Sequence, residues 1–177
     1  MSRLKITGGR LSGRFIKTIP SLRPSPEIAR KALFDILGPV IEGKQFLDLF
    51  AGSGAIGFEA LSRGATRATF IDKDRSHYQL IKDKAADLEV SDLSIIRMMN
   101  VDSFLEANQF PYDFIFADPW YEEALDITNW DNPNLLADNG IIIVEHRNNT
   151  EPIYPDTLKL LNRKRYGDTV LSFFTRA

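Results

Sequence analysis

The stretch Phe46–Gly57, F-L-D-L-F-A-G-S-G-A-I-G, constrains this chain more than any other. An apolar run (Phe46, Leu47, Leu49, Phe50) breaks into three glycines and then enters an apolar-periodic segment with Ile56, Phe58, Ala60 and Leu61. That order predicts strand, tight turn and helix. Gly52 can take a backbone angle closed to other residues, and Gly54 lets the main chain approach a ligand with no side chain between. The helix N-terminus behind the turn offers unpaired N–H groups. A nucleotide-like ligand fits there, but the pattern alone does not say which.

The rest of the chain supplies the frame. Residues 3–19 read as a hairpin around the turn-rich centre Gly8-Gly9-Arg10-Leu11-Ser12-Gly13. Ser25 is placed to cap a helix with Pro26 at its first position, running to about Leu37 with Ile28, Leu33, Phe34 and Leu37 on one face. Arg30 and Lys31 then point toward solvent or a ligand. Beyond Lys44, strand and helix alternate. Strands are expected at Ala68–Ile71, Ser94–Met98, Tyr112–Ala117 and Ile141–Glu145, helices at about Arg75–Leu88 and Val101–Asn108, and a partly helical stretch before Gly140. Leu158–Tyr166 and Thr169–Phe174 flank a tight Gly167-Asp168 turn. This predicts an α/β fold: a mostly parallel sheet with helices on both faces and an antiparallel hairpin at the end. In such sheets the ligand crevice lies at the carboxyl ends of the strands, where the winding reverses. The Gly52 and Asp118 turns both fall at such ends.

Composition removes several classes. With 177 residues, 44% hydrophobic and 26% charged, the chain is one globular domain with room for a small extension. There is no cysteine, so disulfides, thiolate catalysis and zinc–cysteine sites are excluded. No apolar run reaches a membrane span and no secretory leader opens the sequence, so a cytoplasmic location is expected. The net charge of −2 hides an asymmetry: residues 1–31 carry eight basic side chains against one acid, Glu27. A basic head on an acidic body suits a polyanion, although a solvated surface would look the same.

Four acidic positions bear on chemistry. Asp48, inside the first buried strand, needs partners to offset desolvation, either N–H groups of the glycine turn or a ligand's ammonium. A nicotinamide dinucleotide has no ammonium; S-adenosylmethionine does. Asp72, 20 residues after Gly52, is placed to accept from both hydroxyls of a ribose, or to cap the next helix, a task Asp74 can also perform. Asp102 serves equally as an acceptor from an adenine amine or as a helix cap. In Asp118-Pro119-Trp120-Tyr121, the carboxylate and the Pro119 carbonyl form two acceptors on a stiff bend, suited to both hydrogens of an exocyclic amine, and Tyr121 can stack on a base. A β-turn with aromatics filling the core is the other reading.

Taken together, D-L-F-A-G-S-G-A-I-G, Asp72, Asp102 and the D-P-x-Y tetrad resemble a class I S-adenosylmethionine-dependent methyltransferase acting on amines. I-T-G-G-R-x-x-G-R, L-R-P-S, A-R-K-A-L-F-D-I-L, E-A-L-S-R-G-A and the terminal Y-G-D-T-V-L-S-F-F resemble the bacterial RsmD family nearly end to end. That resemblance implies a Rossmann-like, seven-stranded domain over 41–177 and a basic N-terminal extension over 1–40 that contacts RNA. It implies methylation of a guanine N2 amine in small-subunit (16S) ribosomal RNA, free or in the ribosomal particle, by a metal-free monomer. The implied catalytic residues are Asp118, Pro119 and Tyr121. Cofactor contacts are implied for Asp48, Phe50, Gly52, Ser53, Gly54, Asp72, Lys73, Asp102 and Ser103. RNA contacts are expected from Arg10, Arg14, Arg23, Arg30, Lys31 and Trp120. The family's usual tetrad is D-P-P-Y, and Trp120 in place of the second proline frees a backbone angle and restores an N–H. Rival functions are methylation of a protein glutamine or another amine, a nicotinamide oxidoreductase, and a non-catalytic RNA-binding relative.

Overall fold

The computed structural model describes residues 3–19, 26–119 and 124–177. The hairpin pairs β1 (Arg3–Lys5) with β2 (Phe15–Lys17). Helix α1 (Glu27–Leu37) leads through a 3₁₀ turn into β3 (Gln45–Leu49), α2 (Ala55–Ser62), β4 (Arg67–Asp72) and α3 (Arg75–Asp87). Then come β5 (Ser94–Met98), α4 (Val101–Ala107), β6 (Tyr112–Ala117), β7 (Leu136–Arg147), β8 (Leu158–Tyr166) and β9 (Thr169–Arg176). The seven long strands form one sheet in the order β5-β4-β3-β6-β7-β9-β8, with β9 antiparallel to both its neighbours. From β3 the chain steps outward to β5 and then returns to place β6 on the other side of β3. The winding therefore reverses between β3 and β6, and a crevice opens at their carboxyl ends.

Strand alternation divides the core into two faces. Phe46, Phe70, Phe114 and Phe173 point to the side covered by α1, α2, α3 and the N-terminal hairpin. Leu47, Leu49, Ile115, Ile142 and Val144 point to the side of α4 and Trp130. All eight residues of α2 are buried, the polar Glu59 and Ser62 included. Ile6, Leu11 and Ile16 of the hairpin region belong to the same apolar cluster as α1 and α2.

Four local expectations need correction. Pro26 is the N-cap of α1 rather than its first residue, its carbonyl accepting the Arg30 N–H at 3.0 Å; Ser25 lies outside the described residues. The buried face of α1 is Ala29, Arg30, Leu33, Phe34 and Leu37, whereas Ile28 is 65% exposed. The expected helix before Gly140 is absent among described residues 124–135, which are turns plus an Asp126–Ile153 bridge. Asp126 and Asn132 explain this, since their side chains accept the N–H two residues on (Thr128 and Asn134, both 2.8 Å) and compete with helix. Strand β7 also begins at Leu136 instead of Ile141, pairing with Tyr112 before the register shifts.

Candidate active site

The glycine turn is built from left-handed backbone: Gly52 (φ 54°), Gly54 (φ 74°) and, just before them, Phe50 (φ 59°). An aromatic residue in that region is costly and rarely held without purpose. A Cβ on Gly54 would come within 2.8 Å of the Phe58 ring, and one on Gly57 within 2.2 Å of Phe70. The glycines thus let the turn curl tightly and let α2 lie directly on β4. Ser53, between the first two, is buried.

Asp48 is 1% exposed, and its Oδ2 accepts the Gly57 N–H at 2.9 Å. Burial pushes its carboxyl well above the ordinary range; the Gly57 bond opposes this, while the charges of Asp118 and Asp72 add to it. Asp72 closes the turn from the β4 side: Oδ2 accepts the Gly52 N–H at 2.8 Å and Oδ1 the Asp74 N–H at 2.9 Å. Asp74 caps α3, accepting from Ser76 N at 2.7 Å and His77 N at 3.3 Å, and hydrogen bonds from these two residues hold its carboxyl below the ordinary range. With the cap supplied by Asp74, Asp72 is left to the turn and to a ligand. His77 places Nδ1 3.1 Å from Asp72 Oδ2, a contact the sequence reading missed. Its signal was the spacing: once Asp74 is the cap, His77 falls in the first turn of α3 and faces back along it.

Asp118 follows Ala117, which pairs with Leu49 across the β3–β6 reversal. Asp118 and Pro119 are partly buried, and the Asp118 charge is close enough to Asp48 to raise the cost of ionising it. Trp120, Tyr121 and Arg23 lie outside the described residues. Lys73 is exposed, as are Asp102 and Ser103 in the first turn of α4. Asn100, not Asp102, is that helix's N-cap. Met99 N bonds the Asp72 carbonyl at 3.0 Å, which brings the β5–α4 connection to the Asp72 side of the crevice.

The basic head divides. Arg10 and Lys31 are exposed. Arg14 donates to the Asp87 carbonyl at 2.8 Å, closing the C-terminal end of α3. Arg30, expected to point toward solvent or a ligand, is instead 2% exposed and donates to the Lys5 carbonyl at 2.9 Å. Four residues before Phe34, it sits on the apolar stripe of α1 and is drawn under the hairpin.

These residues fit S-adenosylmethionine. A buried carboxylate of raised proton affinity suits an ammonium, the Asp72 carboxylate suits ribose hydroxyls, and the glycines leave the cradle clear of side chains. A doubly wound sheet carrying this crevice is that of a class I S-adenosylmethionine-dependent methyltransferase. The family model described as conserved hypothetical protein 95 (Cons_hypoth95) matches residues 4–175. The chain belongs to that family, the RsmD family. Its relatives include the ribosomal RNA small subunit methyltransferase D of Escherichia coli, 35% identical over 180 residues and covering 98% of this chain and 90% of the relative. The protein of the same name from Haemophilus influenzae is 33% identical, covering 93% and 89%. Among solved structures, yhhF from Escherichia coli superposes with a TM-score of 0.85 at 32% identity over 99% and 98% of the two chains. The fold is also that of an RNA methyltransferase from Salinibacter ruber in complex with S-adenosyl-L-homocysteine, with a TM-score of 0.61 at 12% identity over 85% and 92%.

Proposed function

We propose that this protein methylates the exocyclic N2 amine of a guanine in small-subunit (16S) ribosomal RNA. The observation that carries the reading is the position of Asp118-Pro119, at the carboxyl end of β6 and beside the carboxyl end of β3 where the glycine turn begins. S-adenosylmethionine, when bound, supplies an electrophilic methyl group on a sulfonium. Asp48 and the glycine turn would hold its amino-acid end, Asp72 its ribose, and Asp102 and Ser103 its adenine. Phe50 and Lys73 would line the flanks.

The chain's part in the chemistry is positioning. A guanine N2 amine presents two N–H donors, and the Asp118 carboxylate and Pro119 carbonyl accept one each. That grip fixes the plane of the amine and aims its nitrogen across the crevice. The base must leave its stack, at a cost of a few kcal/mol, and Trp120 and Tyr121 are assigned to hold its faces. Orientation of this kind supplies much of a displacement's acceleration. Arg10 and Lys31, both exposed, are assigned to phosphates, and the exposed Arg14 beside Asp87 can join them. Because the substrate is bacterial ribosomal RNA, the enzyme works in the cytoplasm, and one copy of the crevice is enough for the reaction.

The test uses labelled S-adenosylmethionine with unmodified small-subunit particles or naked ribosomal RNA, followed by mapping of the labelled base. Label on a guanine N2 is expected. Asp118→Ala is expected to lower turnover by about 10²-fold or more, while cofactor affinity stays within a few-fold. Near-normal turnover in that variant would remove Asp118 from its role.

A further inference from the structure

Two stretches of the sequence, I-T-G-G-R and E-A-L-S-R-G-A, are halves of one structure. Glu59, on α2 and 1% exposed, receives four hydrogen bonds. Its Oε2 accepts Thr7 N at 2.9 Å, and its Oε1 accepts Thr7 Oγ1 at 2.8 Å, Gly8 N at 2.8 Å and Arg63 Nε at 2.8 Å. Arg63 reaches on to Thr7 Oγ1 at 3.1 Å and lies 5.3 Å over the Phe34 ring of α1. Ser62 donates to the Gly8 carbonyl and accepts Leu11 N at 2.9 Å, and its own carbonyl accepts Arg10 N at 2.8 Å. A Cβ on Gly9 would lie 1.8 Å from that carbonyl, so only glycine permits the approach. The C-terminal turn of α2 therefore holds the hairpin tip through charge, hydroxyl and backbone at once.

Both ends of α2 are thus committed. Its N-terminal end carries the cofactor turn, with Gly57 N on Asp48; its last turn, Glu59–Ser62, carries the hairpin, about 6–10 Å along the axis from Ala55 by helix rise. We propose that Glu59, Ser62 and Arg63 are positioning residues that fix the basic hairpin, and Arg10 on it, at a set distance from the methyl-donor turn. RNA engaged by the hairpin is then registered against the crevice by a rigid rod instead of a swinging arm. This rests on the reading that the hairpin contacts ribosomal RNA.

Glu59→Gln tests it. A single amide oxygen cannot replace both carboxylate oxygens, so Thr7 N would face an NH₂ group and Arg63 would lose its counter-charge. The expected result is a KM for RNA raised about 10-fold or more with kcat within 3-fold. Cofactor Kd is expected to stay within 2-fold, with amide exchange accelerated at residues 7–11. Ser62→Ala, the milder lesion, is expected to move the same quantities less, and decides the matter if Glu59→Gln does not fold. Arg10→Ala separates the two readings. If Arg10→Ala raises KM but the α2 variants leave it unchanged, the latch is wrong; if Arg10→Ala itself leaves KM unchanged, the RNA role of the hairpin is what fails.

Discussion

Asp48 offers a test in which stability and binding move in opposite directions. In Asp48→Asn the amide oxygen can still accept the Gly57 N–H, so the bond at 2.9 Å survives while the buried charge goes. The folded-state pKa of Asp48 is raised, chiefly by burial. The protein without cofactor therefore loses no stability from this group below the ordinary carboxylate range. It loses stability progressively as pH rises toward the folded-state value, and no more beyond it. Each pH unit within that window costs about 1.4 kcal/mol, which for a chain of this length is about 3–6 °C in Tm. Thermal melts of both proteins from pH 4 to 8 are expected to show the Asn variant gaining on the parent as pH rises. Binding goes the other way. A charge-assisted hydrogen bond to an ammonium contributes about 1.5–3 kcal/mol, so cofactor Kd by calorimetry is expected to weaken about 10- to 150-fold. A Tm gap that does not change with pH would refute the burial argument. An unchanged Kd would remove Asp48 from the cofactor site.

Gly57→Ala replaces a hydrogen with a methyl 2.2 Å from a ring atom of Phe70, itself fully buried and 4.9 Å centroid to centroid from Phe58. Overpacking costs about 1–3 kcal/mol against a helix-propensity gain of about 1, so Tm is expected to fall by up to about 8 °C; a rise would show that the α2–β4 contact has slack. Replacing both Arg10 and Lys31 by Ala is expected to weaken RNA binding and to flatten its log–log salt slope by about 0.7 for each phosphate that the protein no longer neutralises. An unchanged slope in filter binding would place the RNA-binding surface elsewhere.

The strand–turn–helix frame was legible because its signals are local. Three glycines after an apolar run can do little else, and Tyr112–Ala117 and Leu158–Tyr166 lie where alternation and turn residues put them. Arg30 was misjudged by treating charge as a sign of exposure, when its spacing to Leu33 and Phe34 placed it on the buried stripe. The helix expected before Gly140 failed for a different reason, since Asp126 and Asn132 bond their own backbone more readily than they allow a helical turn to form. The Glu59 latch was out of reach, because Thr7 and Glu59 are 52 residues apart and nothing in local periodicity links them. His77 was half-visible: its distance from Asp72 was in the sequence, but its direction depended on which aspartate capped α3.

The arrangement of acids also explains why a glycine turn of such general shape takes this ligand. The turn pattern alone suits a dinucleotide, whose pyrophosphate is drawn to a helix N-terminus. Here, however, Asp48, Asp72 and Asp118 converge on the same crevice, and each of the latter two raises the cost of ionising Asp48. A phosphate entering among three carboxylates adds repulsion at short range, where charges interact most strongly. A ligand bearing an ammonium and a sulfonium relieves that repulsion instead. On the proposed reading the glycines set where the ligand lies, and the carboxylates favour a cation at the point nearest Asp48 and Asp118. On the reading proposed above, the same acidic edge also serves the substrate amine, so that one electrostatic feature of the sheet's reversal point would select both cofactor and acceptor.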